Sequence, residues 1–281
     1  MKYRQRRLFA TYMKRVLHMD KYLEMIRIRF LMMLAYRTNY YSGILIYSIN
    51  IGAYYFLWTA IYGGKESIQG LSVLQMTTYI AIAWMARAFY FNNIDREIAT
   101  EIKEGKVAIE LIRPYNYLGM KTMQGLGEGI FRLAFFSVPG MVIVGLIFPL
   151  ELSSNLVTWG YFGLSIVFSF IINSQINLLT GMMTFFLFNN DGLIRAKRVV
   201  IDLFSGLLLP ISFYPIWAQD VMGYFPFQAI SYIPSMIFTE GFTGGEIVRA
   251  IMFQGFWSVI LLIPIQLLWS LAKKQLIVQG G

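Results

Sequence analysis

Asn173 and Asn177 stand four residues apart inside a stretch, Leu152 to Asn190, that contains no charged residue. Gln175 lies between them, and Asn50 sits in an earlier uncharged stretch of the same kind. Carboxamides held away from water must find hydrogen-bond partners. Two chemistries fit them: a polar lining for a solute path, or hydrogen bonds that join one helix to another. Glu128 and Arg132 share the four-residue spacing and read as a local ion pair on one helix face. The densest charge lies in NNIDREIATEIKEGKVAIELIRPYNY, from Asn92 to Tyr117. Ile94, Ile98 and Ile102 recur there every fourth residue, so one face of a short helix is apolar while Glu97, Glu101 and Lys103 occupy the others. Gly105 permits a break, and Pro114 ends a second short helix at Arg113. The pattern predicts a stiff, charged helical hairpin built to touch a soluble partner; a solvated connector is the alternative.

Catalytic chemistry is harder to find. The chain has no cysteine and one histidine, His18, which excludes thiolate nucleophiles, cysteine metal sites and a Ser/His/Asp set. Gly63-Gly64-Lys65-Glu66-Ser67 has the wrong spacing for a phosphate cradle. No catalytic and no metal-ligating set emerges, and the chain is expected not to hydrolyse ATP itself.

The elements that must position these groups follow from composition. Of 281 residues, 57% are hydrophobic and only 14% charged, where soluble domains carry roughly 25% charged residues. An ordinary soluble domain and a disordered chain are both excluded. Uncharged stretches long enough for a bilayer predict an all-α polytopic membrane protein with six spans: Ser42–Tyr62, Leu71–Phe91, Gly125–Leu150, Leu156–Phe186, from after Arg198 to Phe213, and Ala250–Ala272. Val221–Thr239 is uncharged too, but a seventh span there would put Lys273 and Lys274 on the outer side. With six spans and both termini inside, twenty-one Lys and Arg fall on the inner side and only Lys65 on the outer, with Arg132 and Arg249 near span ends. Pro210, Pro215, Pro226 and Pro234 interrupt the stretch before the last span, and broken backbone at membrane depth must be buried in protein or line water. It reads as short outer re-entrant helices capping the bundle. Trp58, Trp84 and Trp217 read as interfacial or packing aromatics.

Ahead of the first span, Lys21–Tyr41 carries Met19, Leu23, Ile26, Phe30 and Met33 at roughly helical spacing. An interfacial helix along the inner leaflet is expected, with Arg27, Arg29 and Arg37 near anionic headgroups. The Arg-rich start lacks the apolar core of a cleaved signal peptide, and the positive-inside rule accounts for it. The organisation is one transmembrane domain over 1–281: an N-terminal cytoplasmic part in 1–41, spans one and two in 42–91, a cytoplasmic loop in 92–121, spans three and four in 122–186, a second cytoplasmic loop and span five in 187–213, the outer region in 214–246, span six in 247–272 and a tail in 273–281.

Three strings resemble the bacterial ABC-2-type permeases, the membrane subunits of type 2 ABC exporters, and their stand-alone six-span branch in particular. They are Glu110-Leu111-Ile112-Arg113-Pro114, the proline-rich SGLLLPISFYPIWAQDVMGYFPFQAISYIPSMIFTEG from Ser205 to Gly241, and LIVQGG from Leu276 to Gly281. The resemblance covers essentially the whole chain. It implies a dimer of permeases, identical or homologous, in the bacterial cytoplasmic membrane, each seating a separate ABC ATPase subunit, two copies per transporter. ATP and Mg would be bound by that partner and no cofactor by this chain; lipids surround it and nucleic acid has no part. The resemblance places an ATPase-coupling helix on the loop from Glu97 to Pro114, which contains Glu101, Gly105, Glu110, Leu111 and Arg113. It also places the interface helix on Lys21–Tyr41 and re-entrant helices on Ile211–Phe238. The implied cargo is apolar or amphipathic, a drug, antibiotic, peptide or lipid moved outward. An ion-coupled secondary transporter and a non-transporting scaffold are the alternatives, and the first of these would ordinarily show internal repeats and mid-span carboxylates.

Overall fold

A computed structural model describes residues 20–35, 38–187 and 189–279; Met19, His18, the side chain of Arg37 and Gly280-Gly281 lie outside them, as do the side chains of Leu276 to Gln279. Among the described residues the chain is helical, with no strands. In order the helices are α1 (20–35), α2 (Thr38–Tyr62), α3 (Val73–Tyr90), α4 (Ile94–Lys103), α5 (Lys106–Ile112), α6 (Tyr117–Arg132) and α7 (Val138–Ile147). They continue as α8 (Leu156–Met182), α9 (Asp191–Phe204), α10 (Ile216–Gly223), α11 (Tyr232–Phe238), α12 (Gly245–Ile260) and α13 (Leu262–Gln279).

Four stretches are long and apolar enough to cross a bilayer: Gly43–Tyr62, Tyr117–Ile147, Leu156–Phe185 and Gly245–Gln275. The chain is an all-α polytopic membrane protein. Two of these spans contain a proline whose effect is visible. Pro139 cannot donate to the helix ladder, and the turn just before it, Leu133–Ser137, is π-helical, joining α6 to α7. Pro264 likewise follows the break at Leu261 that separates α12 from α13.

The other two expected spans differ from the hydropathy reading. Helix α3 is 18 residues long and is buried on every side from Met76 to Ala83, so its Thr77 and Thr78 meet protein rather than lipid. The fifth span was expected to begin after Arg198 and reach Phe213; instead α9 begins at Asp191, takes in Arg195, Lys197 and Arg198, and stops at Phe204. Its 14 residues span about 21 Å, and the chain then reverses at Gly206. There φ is +79°, and a Cβ would lie 2.7 Å from the Cβ of Tyr232, so only glycine fits.

The proline-rich stretch is a set of short pieces: a 3₁₀ turn at Ile211–Phe213, α10, a second turn at Pro226–Ala229, and α11. Every residue of α11 is buried, between α8, α3 and the turn at Pro226–Ala229. The loose backbone ends are satisfied from neighbouring helices. Ser169 Oγ and Gln254 Nε2 donate to the carbonyl of Ala229 at 3.1 and 2.7 Å, and Tyr79 Oη donates to the carbonyl of Gly206 at 2.5 Å. That is how non-helical backbone survives inside a membrane protein.

Candidate functional site

The charged run forms the hairpin foreseen from its pattern, and the bundle holds it tightly. Ile94 and Ile98 are buried against α8, where Gly181 lets the helices close: a Cβ there would lie 3.0 Å from the Asp95 backbone. Gly105 reverses the chain at φ +70°, and Val107 and Leu111 turn α5 inward to pack with Ile98, Tyr117 and Met182.

The carboxylates expected to face a partner face the protein instead. Glu97 is paired with Arg29 of α1, and Glu101 accepts from Lys121 Nζ at 2.5 Å and Tyr117 Oη at 2.6 Å. Arg29 also reaches Glu128 at 2.9 Å, and Glu128 pairs with Arg132 on its own helix. Burial alone would lower the pKa of Arg29, but the carboxylates of Glu97 and Glu128 outweigh it and raise it. Arg29 is thus a strut between α1, α4 and α6, not the headgroup contact its basic segment suggested. The inward stripe of α1 is Tyr22, Met25, Ile26, Arg29, Phe30, Met33 and Leu34, with the Phe30 ring edge-on to Phe131 at 5.8 Å, while Leu23 is exposed. Contact is closest at Gly127, where a Cβ would stand 2.3 Å from the Ile26 carbonyl oxygen.

At the far end of α5, Tyr115 Oη donates to Glu110 at 2.5 Å and accepts from Arg113 Nη1 at 3.1 Å. Burial and that bond to Glu110 raise the Tyr115 pKa. Glu110, Arg113 and the bend at Pro114 therefore close the hairpin. What remains outward is a small apolar tip, Ala108, Ile109 and Ile112, with Ile109 60% and Ile112 86% exposed, flanked by Glu104 and Lys106. Sequence reasoning missed Ile109 and Ile112 as an exposed apolar pair. The signal was present, since they fall opposite Val107 and Leu111 on a 3.6-residue wheel. Beside the tip runs a polar groove of about 540 Å³, lined by Arg96, Glu97, Thr100, Glu104 and Lys106 among others.

The carboxamides of α8 come together with groups not singled out beforehand. Asn173 Nδ2 donates to the Tyr90 carbonyl at 2.8 Å, and Asn177 Nδ2 to Asn92 Oδ1 at 2.8 Å. Asn92 in turn donates to Ser174 Oγ at 2.9 Å. Lys197 of α9 binds Asn177 and, at 2.6 Å, the fully buried Asp95. Asn173 and Asn177 thus clamp the α3–α4 turn onto α8 and α9, which is the helix-joining alternative. Gln175 lies on another face and donates to the Ser258 carbonyl at 2.7 Å, joining α8 to α12. Asn50 is apart from all three, exposed on α2. Pro210, Pro215 and Pro226 stand at the starts of the short pieces before α11, and Pro234 in the first turn of α11 itself. Trp58 is buried, Trp84 half-buried and Trp217 71% exposed on α10.

A family model described as "ABC-2 family transporter protein" matches residues 48–280. The chain belongs to the ABC-2 transporter family. No curated protein matches it. The match takes in the hairpin, the carboxamide cluster and the buried α11, and starts after α1. Membership makes the chain the permease component of an ABC transporter, a part that works with an ABC ATPase subunit. The permease itself is a transport component and not a catalytic one.

Proposed function

We propose that this permease is the membrane half of an ATP-driven exporter whose separate ATPase seats on the tip of the α4–α5 hairpin. The observation that carries the reading is the contrast within that hairpin. Its Asp95, Glu97 and Glu101 and its inner isoleucines are committed to the bundle, while Ile109 and Ile112 project into open space. Exposed isoleucines on a rigid, charge-rimmed helix suit a groove in a soluble protein, since apolar anchors supply affinity and a polar rim supplies register.

ATP and Mg belong to the partner. When two ATPases close, each pushes its α5 tip. Glu97 and Glu101 carry the push to α1 and α6, and the Asp95–Lys197–Asn177–Asn92 cluster carries it to α8 and α9. A ligand or partner shifts such an equilibrium only by its difference in affinity for the two states. Charge asymmetry supports the orientation: the hairpin, α9's basic turn and Lys273-Lys274 lie inside, with both termini, in a bacterial cytoplasmic membrane. Exposed Trp217 and Tyr224 on the short outer helices suit the opposite interface. A second permease, identical or homologous, completes the transporter. The cargo is apolar or amphipathic and leaves outward, a reading supported by spans without a mid-membrane carboxylate.

Affinity purification of the tagged permease from its native membrane in mild detergent, followed by mass spectrometry, tests the assembly. A stoichiometric ATPase subunit is expected. Recovery of the chain alone would favour a secondary carrier and reduce the hairpin to a connector.

A further inference from the structure

Between α2, α3 and the π-helical turn lies a groove of about 330 Å³. Its wall is aromatic and apolar: Tyr47 and Phe136, whose rings meet edge to face at 5.8 Å, with Trp84 and Ile46. Ile46 is 59% exposed, so the groove opens sideways at the surface of a spanning helix, where lipid lies. Its lining runs from Gly43 to Asn50 along α2, about 10 Å at a helical rise.

One end differs. Arg87 and Arg132 line it, both with side chains largely buried, at the last turn of α3. Three guanidiniums gather on the ring of Phe91 there: Arg198 at 5.1 Å, Arg87 at 5.5 Å and Arg132 at 5.7 Å. They share two carboxylates. Asp202 takes Arg87 at 2.6 Å, and Glu128 takes Arg132 but is also held by Arg29. Arg198 has no acidic partner at ion-pair distance among the described residues, only Asn93 at 3.4 Å. Positive charge therefore exceeds negative at this end. On the orientation proposed above, this is the level of the inner-leaflet headgroups.

We infer that the groove binds an anionic phospholipid of the inner leaflet, its phosphate against Arg87 and Arg132 and an acyl chain along Tyr47, Trp84 and Phe136. The aromatic wall packs along an acyl chain by dispersion, and the guanidinium N–H groups left over from Asp202, Glu128 and the Phe91 carbonyl offer planar donors to phosphate oxygens. A zwitterionic lipid brings its own cation and gains less from the excess charge. This site is separate from the hairpin and needs no ATPase.

The test uses purified permease in detergent, titrated with phosphatidylglycerol or phosphatidylcholine of identical chains and read by native mass spectrometry. Phosphatidylglycerol should bind roughly tenfold tighter, the gain expected from a single unbalanced cation or two near the headgroup. Arg132→Gln leaves Glu128 with Arg29 as its partner and should abolish the preference. Ala88→Phe fills the groove without touching an ion pair and should weaken both lipids. Equal binding by the unaltered protein, survival of the preference in Arg132→Gln, unchanged binding in Ala88→Phe, or displacement by inorganic phosphate at the lipid's own concentration would each overturn the site. Absence of an ATPase partner would leave it standing, because neither transport nor nucleotide enters the assay.

Discussion

At the scale of single residues, the pair of Asp95 and Lys197 carries the largest stake. Asp95 is fully buried, and its ion partner among the described residues is Lys197. Removing one member of a buried pair strands the other charge, so Lys197→Met should cost about 3 kcal/mol. The loss should appear as a lower thermal midpoint in detergent, and Asp95→Asn added to Lys197→Met should recover part of it. An equal midpoint for single and double variants would deny the coupling. Asn177→Leu makes a related case, since it removes the bonds to Asn92 and Lys197 together. It should destabilise by about 1–3 kcal/mol and leave substrate preference among transported compounds unchanged; a changed preference with an unchanged midpoint would restore the path reading. The spacing of Asn173 and Asn177 was legible in the sequence, and so were both of their possible roles. Their partners were not, because Tyr90, Asn92 and Lys197 are distant in sequence and only the fold brings them together.

Among elements, the hairpin divides its work between two faces. Ile109→Asp with Ile112→Asp alters only exposed positions and should abolish ATPase co-purification while the thermal midpoint stays within a degree or two, as surface changes usually do. Val107→Asp, by contrast, buries a charge and should lower the midpoint sharply. Glu110→Ala and Arg113→Ala should loosen the end of α5 through Tyr115 and weaken coupling less than the isoleucine pair does; stronger loss from the former would shift the contact surface to the hairpin's end. For α1, Gly127→Val should push the helix off α6, detected as a lower thermal midpoint in detergent than Gly127→Ala gives; equal midpoints for Gly127→Val and the unaltered protein would deny the close contact. The isoleucine period of α4 revealed its buried face because local periodicity reports a helix's own geometry. On α1 the expected Ile26, Phe30 and Met33 do face the bundle and Leu23 does not; Arg29 joins the inward face unforeseen, because hydropathy counts it as outward and cannot see Glu97 and Glu128 inside. The start of α9 was missed for the same reason: Arg195, Lys197 and Arg198 read as a pre-helix signal, although Lys197 is neutralised within the bundle.

For the whole molecule, orientation is the property on which the mechanism rests. A cysteine placed at Lys65 should label from outside intact cells with a membrane-impermeant maleimide, and one at Lys106 or Lys274 only after permeabilisation. Labelling of Lys274→Cys from outside would mean an odd number of crossings. Hydropathy and charge gave the class, the six apolar stretches and the interrupted region before the last span. They could not show that α3 is enclosed by protein, or that α11 is buried along its whole length, its first N–H donating to the Ser205 carbonyl while Ser169 and Gln254 satisfy Ala229 in the turn before it. The most direct test of the account is a photo-crosslinking amino acid at Ile112, activated in native membranes, with the captured protein identified by mass spectrometry. The account predicts an ABC ATPase subunit captured from Ile112 and none from the same probe at Trp217. Capture from neither position, or an ATPase captured at Trp217, would contradict it.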